Sequence, residues 1–218
     1  MVGSIKLKKL GKNPFAELPR EVAILSTVSF LVAVGFGLII PAIPIFAASF
    51  GVSKTAIGLI ISAFAIVRFA SGLVSGKLVD KFGERTVLGF GLFMVSFFTL
   101  LTALSQNYSQ LLIFRSLGGL GSSMFSVSAG SLLMRSVSDD YRARAQSLYN
   151  GGFLLGGISG PAVGGLLAGI SLRAPFFVYS ITLAMAAFTA LFFLREKPLQ
   201  NSADHSAARA EASGEAVG

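Results

Sequence analysis

The sequence predicts an all-α membrane protein with six transmembrane helices. Three observations predict it: too little charge for a water-facing surface, apolar residues gathered in long unbroken runs, and Lys and Arg concentrated at one set of turns. Charged residues make up 13% of the 218-residue chain and hydrophobic residues 53%, where an ordinary soluble domain carries about 25% charged residues. At ~20 apolar residues per membrane helix, six helices need ~120 residues and fit, whereas twelve need ~240 and do not. A β-barrel would read as ten-residue alternating segments, and the apolar runs here do not alternate.

The elements follow in chain order. Residues 1–20 form a basic amino tail with Lys6, Lys8, Lys9, Lys12 and Arg20. The apolar run after it is too long for a signal-peptide core and lacks a small-residue cleavage site, so it reads as a retained first helix. Span 1 covers about 21–49 and contains Pro41 and Pro44; span 2 covers about 54–81 and span 3 about 86–104. Span 4 covers about 108–136, span 5 about 140–169 and span 6 about 173–194. Together they predict a membrane domain over 21–194, followed at 195–218 by a disordered tail or the start of a central loop, rich in Ala, Ser, Glu and Gly.

Orientation follows from the cations. Lys77, Lys81 and Arg85 lie at the 2–3 turn, Arg135, Arg142 and Arg144 at the 4–5 turn, and Arg195, Lys197 and Arg209 beyond span 6; the opposite side has only Lys54 and Arg173. The positive-inside rule then places both termini in the cytoplasm, with the domain in the plasma (inner) membrane. Locally, Ser138 reads as an N-cap for span 5, with Asp139 and Asp140 suiting its positive end. Gly83 suits the position that closes span 2. Asp80 then sits in the last turn, where the helix dipole disfavours a negative charge, and it needs a partner elsewhere.

The same counts exclude several chemistries. Cysteine is absent, which removes disulfides, thiol nucleophiles and thiolate metal sites. The sole histidine, His205, lies in the polar tail, which removes histidine general bases, zinc motifs and haem ligation. No metal or cofactor is expected. The net charge of +8 mostly flanks apolar runs, an arrangement for a bilayer surface and not for nucleic acid. No paired intramembrane carboxylates and no Gly-x-Ser-x-Gly element argue for an enzyme.

Polar groups inside the spans are the candidate functional residues. Arg115 lies about two turns into span 4, a depth where a charge is costly and usually faces a cavity. Gly119, Ser122 and Ser126 continue along its face. Arg68, midway along span 2, is equally costly; Phe64 precedes it by one turn. Tyr149, Asn150 and Phe153 in span 5 offer an apolar wall with a few polar groups, suited to a lipophilic ligand. Gly152, Gly156, Gly160 and Gly164 form a smooth stripe that admits another helix backbone, and Pro161 frees a carbonyl and can kink the helix. No Asp or Glu is expected inside a span; Glu21 stands at the very edge.

The 2–3 turn reads Gly76-Lys77-Leu78-Val79-Asp80-Lys81-Phe82-Gly83-Glu84-Arg85. It resembles the signature of the major facilitator superfamily, departing from it at Val79 and Glu84. Three further elements agree in order. Gly35, Pro41 and Pro44 resemble the family's glycine–proline–proline pattern in the first helix. Arg115 through Gly121 is similar to its fourth-helix element, with Gly118 in place of the usual glutamine. Gly156 through Gly165 resembles the Gly-Pro-containing fifth-helix element of drug–proton antiporters, although Ser147 stands where that element expects a glycine.

The resemblance implies the amino-terminal half of such a fold, with six helices as two inverted three-helix repeats. It implies secondary active transport, with efflux of a small organic molecule by alternating access. It assigns Gly76, Asp80, Gly83 and Arg85 to gating through contact with another half. Gly152, Gly156, Gly160, Pro161, Gly164 and Gly165 would pack and gate in span 5. The residues singled out above for their depth and polarity, Arg68, Arg115, Ser122, Ser126, Phe64, Tyr149, Asn150 and Phe153, would line the substrate cavity. The expected partners are the bilayer, the substrate, protons, and a second six-helix half or a second copy. The coupling acid belongs to another half, or is Glu21 or Asp80, or the chain is not proton-coupled alone. The alternative reading is a truncated, non-transporting membrane protein that pairs with or modulates a full-length relative.

Overall fold

In a computed structural model, residues 18–194 are described. The expectations for most of the amino tail, for 195–218 and for His205 lie outside them.

All regular structure among the described residues is helical. It runs α1 (Arg20–Ala48), α2 (Lys54–Ala70), α3 (Gly72–Phe82), α4 (Glu84–Leu104), α5 (Tyr108–Ser136), α6 (Arg142–Ile170) and α7 (Ala174–Phe193). A single 3-10 turn, Asp139–Tyr141, precedes α6. Five helices are long and apolar enough to cross a bilayer singly, and α2 with α3 makes a sixth span bent by 45°.

That bend corrects the uninterrupted second span. At the break the Ser71 hydroxyl bonds the carbonyls of Val67 at 2.7 Å and Arg68 at 3.1 Å, and Gly72 follows. Serine back-bonding next to glycine is a recognised cause of helix kinks. Ser138 is also corrected. Its side chain caps nothing; its carbonyl accepts the Tyr141 N–H at 2.9 Å and closes the 3-10 turn. Asp139 pairs instead with Arg142 at 3.0 Å. Elsewhere Ser53 accepts the Ala56 N–H at 3.3 Å to start α2, and Asn107 accepts the Gln110 N–H at 3.0 Å to start α5. At the next turn, Gly83 takes φ +81°, donates its N–H to the Val79 carbonyl and starts α4 directly.

The packing pattern reveals the repeat. The strongest helix pairs are α1 with α6, α4 with α5, α4 with α7, α1 with α7, and α2 with α5. Exchange α1 with α5, the bent α2–α3 with α6, and α4 with α7. Each of these pairs maps onto another of the set, and the α4–α7 pair maps onto itself. Consecutive spans alternate in direction, so the exchanged helices run oppositely: the repeats are inverted. At the self-related α4–α7 contact, Ser96 and Ser180 clasp reciprocally, each hydroxyl donating to the other's carbonyl at 2.8 and 2.9 Å.

Glycine sets the two equivalent seams, α1–α6 and α2–α5. A Cβ added at Gly152, Gly156 or Gly160 would lie 2.9, 2.6 and 2.5 Å from the carbonyl oxygens of Ser26, Phe30 and Val34, and one at Gly164 would collide with Leu38. The acceptors also step by four, so the stripe runs along one groove of α1. Apolar burial drives little helix association in a bilayer; close approach of backbones supplies much of the attraction. The core lies among α1, α4, α5 and α7, with Leu25, Leu88, Leu92, Leu111 and Phe176 fully buried. The outer spans stay bare: Phe69 is 89% and Leu73 84% exposed on α2–α3, and Leu166 76% on α6.

Candidate functional site

The α2–α5 seam organises the polar residues. A Cβ on Gly119 would lie 2.7 Å from the Phe64 carbonyl and 3.1 Å from the Arg68 nitrogen, so only glycine lets α2 settle here. That approach brings a guanidinium nitrogen of Arg68 within 2.8 Å of the Ser126 hydroxyl. Ser126 in turn donates to the Ser122 carbonyl at 3.0 Å. Ser122 therefore enters the site through its backbone.

Arg115 sits one turn before Gly119 and is only 6% exposed. Its guanidinium lies 4.0 Å from the centre of the Phe64 ring and 5.9 Å from that of Phe36. A cation over an aromatic face is attracted to the ring quadrupole, most strongly when desolvated. Burial against two rings replaces the snorkelled posture open to an arginine at this depth. Arg68 differs: it is exposed.

Tyr179 completes the wall from α7. Its ring occupies the space above Gly35, where any Cβ would collide with it. Tyr179 is buried and lies in the neighbourhood of both arginines. Tyr149 on α6 lies within electrostatic reach of Arg68, and its carbonyl accepts the Ser29 hydroxyl at 3.5 Å. Phe64, Arg68, Arg115, Ser122 and Ser126 thus come together, Tyr149 lies nearby on α6, and two others stand apart. Asn150 is exposed and accepts a bond from Gln146 at 2.8 Å, and Phe153 is 42% exposed with no ring contact to the arginines. Sequence reasoning missed Tyr179 and Phe36 as site residues. Phe36 directly follows Gly35 within the first-helix pattern, and Gly35 was the only trace of Tyr179.

Pro41 and Pro44 lie within an unbroken α1, and Gly37 packs on the Pro161 ring of α6. Gly165 faces open space. Along the α1–α6 seam runs a separate groove of about 410 Å³, lined by Ser26, Thr27, Phe30, Ser147, Gly151 and Leu155 among others, without the arginines.

At the 2–3 turn, Gly76 faces open space and Asp80 is exposed, with no ion pair among the described residues. Arg85 donates to the Leu191 carbonyl, tying the start of α4 to the last turns of α7. Glu84 corrects the start of span 3, which begins two residues earlier than expected and takes in a buried acid at its edge. It is the first residue of α4, 1% exposed, paired with Arg135 at 3.0 Å and accepting the Ser131 hydroxyl at 3.0 Å. The positive end of α4 favours a carboxylate there. Glu21 likewise lies in the first turn of α1.

Comparison with known proteins agrees with this architecture. Multidrug resistance protein 2 of Bacillus subtilis is 30% identical over 167 residues, covering 77% of this chain and 42% of that protein. Quinolone resistance protein NorA of Staphylococcus aureus is 27% identical over 187 residues, covering 84% of this chain and 47% of that protein. The chain spans about half the length of these relatives. Among solved structures, a bacterial homologue of the human lysosomal transporter Spinster superposes with TM-score 0.74 at 20% identity, over 86% of this chain and 46% of that one. The sequence pattern of the Major Facilitator Superfamily matches residues 25–215, and the chain belongs to that family of membrane transporters.

Proposed function

We propose that this chain forms one half of a secondary active transporter that exports a small organic molecule by alternating access. The observation that carries the reading is the wall of Phe64, Arg68, Arg115, Ser126 and Tyr179, polar and cationic inside an apolar helix bundle of the transporter family. Charged groups at membrane depth are rare and mark pathways. The relatives named for multidrug and quinolone resistance favour efflux over uptake.

On this reading a second six-helix half, or a second copy, closes the cavity and covers the bare faces of α2–α3 and α6. Asp80 docks on that partner and, with Gly76, Gly83 and Arg85, gates the cytoplasmic side. The glycine stripe and Pro161 serve as the joint at which α1 and α6 shift together. Both termini face the cytoplasm across the plasma membrane, following the positive-inside asymmetry. The test is flux of a fluorescent quinolone into proteoliposomes under an imposed proton gradient, with the chain alone and with a six-helix carboxyl-terminal half of a relative added. Gradient-dependent flux in either preparation supports the proposal; its absence in both contradicts it.

A further inference from the structure

We infer that Arg68, held by Ser126, receives the oxyanion end of an aromatic organic acid, with the buried Arg115 as a second positive charge behind it and the half-buried Phe36 as the ring nearest the aromatic body. The inference rests on the transport reading above and gives its substrate a charge.

Charge balance is the first argument. The acidic side chains among the described residues are Glu21, Asp80, Glu84, Asp139 and Asp140, all at helix ends or turns. Glu84 is held by Arg135 and Ser131, and Asp139 by Arg142. Neither Arg68 nor Arg115 meets a carboxylate among the described residues. A guanidinium stays protonated in a protein, so the wall carries two positive charges that no carboxylate among the described residues neutralises. The Phe36 and Phe64 ring faces attract the Arg115 charge without neutralising it.

Donor geometry is the second argument. Ser126 receives one Arg68 donor and passes its own hydrogen to the Ser122 carbonyl, which fixes the guanidinium in place. Arg68 is exposed, so its other N–H groups are open to a ligand. A planar guanidinium fork matches a carboxylate with two parallel bonds. Selectivity is the third. A cationic ligand would meet two like charges at the wall, a repulsion that disfavours the wrong partner.

The experiment measures binding of three probes of one shape to the purified chain in nanodiscs by equilibrium dialysis: 2-naphthoate, neutral 2-naphthamide and 2-naphthylmethylammonium. The expected result is binding of 2-naphthoate about tenfold tighter than either other probe. Arg68→Gln removes that preference and leaves 2-naphthamide within about twofold. Ser126→Ala keeps the charge and frees its orientation, so it weakens 2-naphthoate alone; it gives the same readout if Arg68→Gln does not fold. No binding of any probe, equal binding of all three, tighter binding of the cation, or variants that weaken all three alike overturn the inference. Flux on the same preparation separates the two readings. Charge-selective binding without flux contradicts transport alone, whereas gradient-driven flux of the cation, untouched by Arg68→Gln, contradicts the anion site alone.

Discussion

Arg68 and Ser126, 58 residues apart in sequence, are joined by a 2.8 Å hydrogen bond across the α2–α5 seam, and Gly119 makes the approach possible. The bond fastens the last turn of α2 just before the kink at Ser71. A cationic side chain is thus placed at the hinge of a bent span. Substitution at Gly119 should therefore act on Arg68 without touching it. Gly119→Val is expected to cost about 1–3 kcal/mol, as overpacking does. Thermal melting in detergent, with Gly118→Ala as the tolerated neighbour, checks this; Gly118 has an ordinary 3.8 Å clearance to Phe98.

The glycine stripe of α6 makes a two-sided prediction. Gly160→Ala forces a methyl to within 2.5 Å of the Val34 carbonyl and 2.6 Å of Gly37, whereas Gly157 and Gly165 face open space. The melting temperature should fall for Gly156→Ala and Gly160→Ala and stay put for Gly157→Ala and Gly165→Ala. Equal effects at all four positions would contradict the α1–α6 seam.

Glu84 and Arg135 should respond unequally. Glu84 is almost wholly buried while half of the Arg135 side chain meets solvent. Glu84→Gln still accepts the Ser131 hydroxyl and leaves behind an arginine that water can solvate. Arg135→Met leaves a buried carboxylate without its cation. Removing the arginine should therefore cost more, about 1–3 kcal/mol after allowance for solvent screening. Denaturation of the two variants side by side gives the order.

Asp80 separates stability from transport. It has no ion pair among the described residues and is exposed, so Asp80→Asn should leave the melting temperature of the isolated chain unchanged. If docking to a second half is its role, flux in the reconstituted pair should fall by about tenfold or more, matching the loss of one charge-assisted contact.

The six spans were legible because apolar runs of membrane length leave few other readings. The break at Ser71 was not, since a Ser-Gly pair inside an apolar run looks the same whether the helix bends or not. Arg115 and Arg68 were legible as costly charges, and the Gly152–Gly164 stripe as a spacing. Which helix fills that stripe, and that Phe64 covers Arg115, are facts of tertiary contact that no single-span periodicity carries. Tyr179 was invisible for the same reason: its place depends on the missing side chain of Gly35, 144 residues earlier. Glu84 escaped because span 3 was read as starting two residues later, which left its carboxylate in a solvated turn instead of a buried helix start.

The central claim is that the arginine wall faces water and not lipid. The chain has no cysteine, so single cysteines can be placed on the unmodified sequence. Ser126→Cys in the membrane-embedded chain should react with a water-soluble, membrane-impermeant methanethiosulfonate, while Phe97→Cys, on the bare outer side of α4, should stay unlabelled until the bilayer is dissolved. An inert Ser126→Cys beside a reactive Phe97→Cys would contradict the account.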